Sequence, residues 1–257
     1  MNQTAPQAAL FDAGAAGIAD GDLIVFDTET SGVDYDTSRI VTFSIGLHRP
    51  SGQHTIESGV IDSGIDIPEG AAAVHGWTTE RVRSYEATTT PEAGIRRMLS
   101  WMAIALKEEL AVVAFNARFD MTLLARETER INMNPDALHR VKVIDPLVLD
   151  KGLDRFRRGS RRLRAVCQHH KIDLDEDAWH DAKADAIAAG NLTRVLLGKL
   201  AKTPEAQTLA GLHTMQSRWA RDQAASLESH LHTSGKNPTA VVERIWPIAP
   251  KSEEAPA

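Results

Sequence analysis

The chain is poor in several residue types and patterns, and each absence narrows what it can be. One cysteine, Cys167, in 257 residues excludes an internal disulfide and fits a reducing cytoplasm. No apolar run approaches the ~18 residues that a membrane-spanning helix needs, so no membrane association is expected. No Lys or Arg precedes Arg39, which leaves out the basic segment of a secretory signal and again points to a cytoplasmic protein. Aromatic residues are 5% of the chain, and the only tyrosines are Tyr35 and Tyr85. A positive balance is lacking too. With 29 Lys and Arg against 35 Asp and Glu the net charge is −6, which gives no global sign of nucleic-acid binding. A local basic path can still coexist with an acidic whole. Hydrophobic residues at 42% and charged residues at 25% are those of a globular chain with a proper core.

What is present begins with Leu23-Ile24-Val25-Phe26, a buried-strand pattern that ends in two carboxylates, Asp27 and Glu29. Side chains alternate along a strand, so these two share one face about 7 Å apart. Two anions so placed repel unless a cation lies between them, and hard oxygen ligands suit Mg²⁺ or Mn²⁺. Taken alone, an Asp-x-Glu turn after a strand explains them equally well.

Residues 1–21, rich in Ala and Gly without a period, read as a mobile segment. Arg39–His48 alternates as a half-buried strand, and His54–Ile61 reads as its return strand after a Pro-Ser-Gly turn. The first three strands thus form an antiparallel meander. Thr88-Thr89-Thr90-Pro91 reads as a loop ending in a helix cap, and Ile95, Met98, Leu99, Met102 and Leu106 follow at helical spacing. Ala111–Phe115 and Val141–Asp145 are short apolar strands, with a helix opening at Asn116–Asp120 between them. That alternation predicts parallel pairing, and so an α/β fold whose mixed sheet is antiparallel first and parallel afterwards. Another helix is expected from Thr203-Pro204-Glu205, carrying Leu209, Leu212, Met215 and Trp219. It makes residues 201–246 a helical extension and leaves 247–257 as a disordered tail.

The segment His180-Asp181-Ala182-Lys183-Ala184-Asp185 supplies further polar residues. Five positions turn about 140° around a helix, so His180 and Asp185 cannot share a face of one continuous helix. A consistent arrangement caps the helix with Asp181, sets Asp185 one turn inside and leaves His180 on the preceding loop.

With Asp27-Thr28-Glu29-Thr30-Ser31-Gly32, Asn116-Ala117-Arg118-Phe119-Asp120 and His180 to Asp185 in this order, the chain resembles the DEDD superfamily of 3′→5′ exonucleases. That family includes the proofreading subunit of the bacterial replicative polymerase. Val74-His75-Gly76-Trp77-Thr78 and Ile144-Asp145-Pro146-Leu147 resemble its secondary motifs, with Trp77 where an aliphatic residue is more usual. The resemblance covers roughly residues 22–200. Position 181 is Asp where the tyrosine subclass has its Tyr, so the resemblance is to the histidine subclass, with His180 as the candidate.

The resemblance implies a ribonuclease H-like five-stranded sheet, and two Mg²⁺ or Mn²⁺ ions held by Asp27, Glu29, Asp120 and Asp185. In it His180 is the general base, its ordinary pKa of about 6.5 being suited to taking a proton from water near neutrality. His75 and Phe119 stand at the family's substrate positions, with plain core as the equal alternative for Phe119, and Thr30 is a further substrate-binding candidate. The activity implied is hydrolysis at 3′ ends of single-stranded nucleic acid, DNA favoured, releasing nucleoside 5′-monophosphates. Alternatives are a proofreading or repair subunit with a polymerase or other protein partner docked on residues 203–246, or an RNA-end trimming exoribonuclease. The basic stretch from Lys151 to Arg164 is not covered by these motifs. Arg157, Arg158, Arg161 and Arg162 are candidates for phosphate contacts, with a solvated loop as the plain alternative.

Overall fold

The computed structural model of the protein describes residues 15–174 and 181–251. Six strands form one sheet: β1 (Leu23–Thr30), β2 (Ile40–His48), β3 (His54–Ile61), β4 (Thr88–Thr89), β5 (Ala111–Val113) and β6 (Val143–Ile144), in the order β4-β3-β2-β1-β5-β6. β1, β2 and β3 pair antiparallel, whereas β1 with β5, β5 with β6 and β3 with β4 are parallel. The meander and the later parallel pairing are therefore as the sequence pattern indicates. The sheet has six strands rather than five because Thr88 and Thr89 pair with Val60 and Ile61. Two residues are too few to show a period, so that edge reads as loop in the sequence.

The helices follow from the same patterns. They are α1 (Ala15–Ala19), α2 (Glu69–His75), α3 (Thr79–Ser84), α4 (Pro91–Lys107), α5 (Ala117–Arg130), α6 (Pro146–Leu153), α7 (Leu163–His169), α8 (Ala182–Leu200) and α9 (Leu209–Thr233). Thr90 caps α4 by accepting from Ala93 N, with Pro91 in the first turn. α9 starts later than Thr203. A 3₁₀ turn takes Pro204–Gln207, and Thr208 then caps the helix by accepting from Gly211 N.

β1 is buried on both sides, and this sets the site. Ile24 and Phe26 face a core with Ile95, Met98, Met121 and Leu124 of α4 and α5. Leu23 and Val25 face the opposite core with Ala186, Ala189, Leu192 and Leu196 of α8. β2 is likewise buried on both faces rather than half-buried, since helices cover each side of the sheet. α8 can lie directly on β1 because of Gly190. A Cβ there would stand 2.8 Å from Val25 Cγ1 and 3.0 Å from the His48 ring.

Two terminal stretches make packing contacts that their composition does not announce. Residues 15–19 are the helix α1, whose Ile18 and Ala19 pack on the α8-side core, and Arg194 Nη1 donates to Gly21 O at 3.0 Å. Residues 247–251 are not a loose tail. Ile248 and Ala249 are buried, Ala249 N donates to Thr122 Oγ1 at 2.9 Å, and Arg126 Nη2 donates to Pro250 O at 2.7 Å. α9 is part of the core, with Met215 in one cluster and Ala220 in the other. Among the described residues no helix is long and apolar enough to cross a membrane.

Candidate active site

Alternation along β1 decides which acids meet. Asp27 and Glu29 continue the face of Leu23 and Val25, which looks at α8. α8 begins where Asp181 Oδ1 accepts from Lys183 N at 2.8 Å, so Asp185 lies in the first turn of that helix. The result is a cluster of Asp27, Glu29 and Asp185, each offering an oxygen within 4.8 Å of the others. Thr28, between the two strand acids, faces the other way toward α5. Its N–H and hydroxyl both donate to Asp120 Oδ1, at 3.1 and 2.7 Å. Asp120 is thus tied to Thr28 and falls outside the 4.8 Å group, while its charge is the strongest that acts on Asp27. His180 lies outside the described residues.

The helix that carries Asp120 is itself fixed by a carboxylate. Buried Asp145 accepts from Asn116 N at 3.0 Å and Ala117 N at 2.9 Å, at the start of α5, and from Leu147 N at 2.9 Å, at the start of α6. Asn116 takes a left-handed conformation, φ 65°, which turns its N–H onto Asp145. Asp145 N in turn donates to Gln216 Oε1 of α9 at 2.7 Å. Asp145, just past the end of β6, is thus the N-cap of α6. Gln216 was not legible as a partner; the only signal is a polar residue on the apolar face of Leu212, Met215 and Trp219.

Burial and mutual repulsion dominate the electrostatics. Burial first, then the charges of Asp120, Asp185 and Glu29, hold Asp27 well above the usual carboxylate range. Burial, then Asp185 and Asp120, push Glu29 up to about 8. Burial raises Asp120 to about 7 against the bonds from Thr28, and burial with Asp181 raises Asp185 to about 6. The charges that act most on Asp27, Glu29 and Asp185 are all carboxylates. Oxygen donors gathered in this way fit a hard divalent cation. Cys167, near Asp185, is unsuited as a nucleophile, because burial and that carboxylate push its thiol up to about 12.

The sign of the resulting pH dependence is fixed. A carboxyl raised in the folded state binds more protons than in the unfolded chain, so stability falls as pH rises. In the metal-free protein this contribution is full below about pH 4, the unfolded carboxyl range, and is lost toward about 8, the Glu29 value. Melting in EDTA should therefore give a lower midpoint at pH 8 than at pH 5. Excess Mn²⁺ should raise the pH 8 midpoint, by about 2.7 kcal/mol of stability at a hundredfold excess over Kd. A flat pH profile without a Mn²⁺ response would contradict the charge assignment.

The expected substrate residues fall into two places. Thr30 and His75 meet at the end of β1, just past a register shift between Glu29 and Thr30. His75 Nδ1 accepts from Trp77 N at 3.1 Å, so Nε2 carries the proton and faces Thr30 O at 3.3 Å. Phe119, beside Asp120, lines a cavity of about 580 Å³ between α5, α6 and α9. Arg157 and Arg161 also line it, but both are engaged. Arg157 Nη2 donates to buried Asp150 Oδ2 at 2.9 Å, Arg161 Nη1 donates to the same oxygen, and His170 Nε2 lies 2.9 Å from Asp150 Oδ1. These contacts pull Asp150 below the usual carboxylate range in spite of its burial. Arg158 and Arg162 are exposed.

The chain matches the exonuclease family, RNase_T, over residues 24–193. No curated protein sequence matches it. Among solved structures it is similar to E. coli exonuclease I in complex with a dT13 oligonucleotide, at 18% identity and TM-score 0.60 over 71% of this chain and 42% of that one. The zinc-bound E. coli exonuclease I–single-stranded DNA complex gives 18% identity and TM-score 0.55 over 79% and 43%. Exonuclease I with SSB and the inhibitor CFAM gives 17% and 0.58 over 70% and 44%. These likenesses establish the shared fold, a ribonuclease H-like exonuclease core, and the chain spans less than half the length of those proteins.

Proposed function

Because the chain belongs to the exonuclease family, we propose that it is a divalent-metal-dependent 3′→5′ exonuclease of the histidine subclass, acting on single-stranded DNA. The observation that carries this reading is the meeting of Asp27, Glu29 and Asp185 within 4.8 Å, where the charges that act most on each of them are other carboxylates. The oligonucleotide bound to E. coli exonuclease I supports single-stranded DNA as the substrate class.

Asp27, Glu29 and Asp185 are the residues that would hold Mg²⁺ or Mn²⁺, and Asp120, whose charge acts most strongly on Asp27, would serve a second ion. Two such ions supply positive charge at the attacked phosphate and at the departing 3′-oxygen. His180 takes the proton from the attacking water. In the sequence it directly precedes Asp181, the cap residue of the helix whose first turn carries Asp185. Thr30 and His75 hold the terminal nucleotide at the bulged end of β1, and Phe119 offers it an apolar face. The reading requires that hydrolysis of single-stranded DNA stop in EDTA and return with Mg²⁺ or Mn²⁺. Hydrolysis that persists in EDTA would sink it.

Phosphate contact falls to Arg158 and Arg162, since Arg157 and Arg161 are occupied by Asp150. Each contact to a single strand contributes about −0.7 to the slope of log affinity against log salt. Replacing both by Gln should flatten that slope by about 1.4. An unchanged slope would return the two side chains to solvent.

A further inference from the structure

The segment 154–162 between α6 and α7 sorts its side chains into two sets. Arg157 and Arg161 turn inward onto Asp150, and Arg161 Nη2 also donates to Asp154 O at 2.5 Å, tying the loop to the end of α6. Gly159, at φ +100°, lets the chain reverse between them. His170, which bonds Asp150 from α7, lies 3.0 Å from Lys199 Nζ of α8, so the anchor is continuous with the helix that carries Asp185. The other set points out. Phe156 is 86% exposed, Arg155 holds its guanidinium 5.7 Å from the Phe156 ring centre, and Arg158 and Arg162 are exposed beside them.

A phenyl ring left in water at the tip of a loop tied down by buried ion pairs has no packing role. Its neighbours set the chemistry of what would cover it. Arg155 also lines the 580 Å³ cavity, together with Arg118, Lys151 and His230. The one carboxylate among the lining residues, Asp145, is already engaged by four backbone N–H groups. Asn116 and Phe119, which precede Asp120 by one turn or less of chain, line it as well. The cavity lining is therefore basic and partly apolar and includes Arg155, the chain neighbour of Phe156, in a protein whose net charge is −6. An aromatic face flanked by arginines is the combination that holds a single strand, with bases stacked on the ring and phosphates on the cations. An acidic or plainly apolar protein surface would match only one half of it.

We infer that Phe156 is a stacking platform for a base upstream of the scissile nucleotide, with Arg155 and Arg158 gripping the adjoining phosphates. This deepens the single-strand reading above and rests on it. The rigid Asp150 anchor makes the platform preorganised, so no loop ordering has to accompany binding.

Equilibrium binding of a 5′-fluorescein-labelled single-stranded DNA, followed by anisotropy in EDTA, tests this without requiring turnover. Phe156→Ala should weaken binding by about five- to a hundredfold, the range for loss of one base–aromatic stack. Phe156→Trp should restore it and Phe156→Leu should not, which separates stacking from plain apolar contact. The melting midpoints of all three should match the parent, because the ring is exposed. A strand series with one abasic position moved along it should show a position that weakens the parent but leaves Phe156→Ala unaffected. Equal affinities for the parent and Phe156→Ala, with no such position, would overturn the inference alone and leave the ring to a protein partner. Failure of the parent to bind any single strand would overturn the substrate reading along with it.

Discussion

Asp27→Asn is expected to abolish hydrolysis while the protein stays folded. Asp27 sits at the centre of the repulsion at this site, since Asp120, Asp185 and Glu29 all raise it on top of its burial. Asn fills nearly the same space and removes the charge. In the metal-free protein that relieves Asp185, Glu29 and Asp120 of one anionic neighbour, so the melting midpoint in EDTA should rise. For chains somewhat smaller than this one, each kcal/mol is worth about 2–4 °C. The same substitution removes a ligand, so the gain in midpoint on adding Mn²⁺ should shrink or vanish. Loss of activity with an unchanged or higher midpoint in EDTA is the signature expected. Parent-like hydrolysis by the purified variant would remove Asp27 from the reaction.

His180→Ala should behave differently. A general base contributes about 10²–10⁴-fold to rate, so turnover should fall by that range. The stabilisation by Mn²⁺ should stay, because the three gathered oxygens come from Asp27, Glu29 and Asp185. Thermal shift and initial rates on the same preparations separate the two effects. Loss of Mn²⁺ stabilisation equal to that of Asp27→Asn would instead make His180 a metal ligand.

What the sequence shows of this site is what local periodicity can carry. The two-residue period of β1 puts Asp27 and Glu29 on one face, and the helical start at Asp181 puts Asp185 in the first turn of α8; both are seen. The same period also places Thr28 on the other face, where its N–H and hydroxyl hold Asp120 beside Asp27 but outside the 4.8 Å group. That consequence needs the side of the sheet on which α5 packs, which no local pattern states.

Long-range contacts are the part that stays hidden. The bonds from Arg157, Arg161 and His170 to Asp150 turn half of an apparently solvated basic run into buried structure. Nothing in the spacing of those arginines distinguishes the inward pair from Arg158 and Arg162. The return of Ile248 and Ala249 onto α5 is equally silent, because an extended segment held by Thr122 and Arg126 carries no period of its own. The start of α9 was displaced for a simpler reason. Thr203-Pro204-Glu205 and Thr208 are both acceptable helix starts, and the 3₁₀ turn between them uses the first.

The central claim is that these acids serve removal of nucleotides from a 3′ end. A single-stranded DNA labelled at either its 5′ or its 3′ terminus, incubated with the protein and Mg²⁺ and resolved by length, tests it most directly. The 5′-labelled strand should shorten one nucleotide at a time, and the 3′ label should appear at once as a nucleoside 5′-monophosphate. Neither should change in EDTA. Immediate release of the 5′ label as a mononucleotide, internal fragments from the outset, or the same products in EDTA would contradict the account.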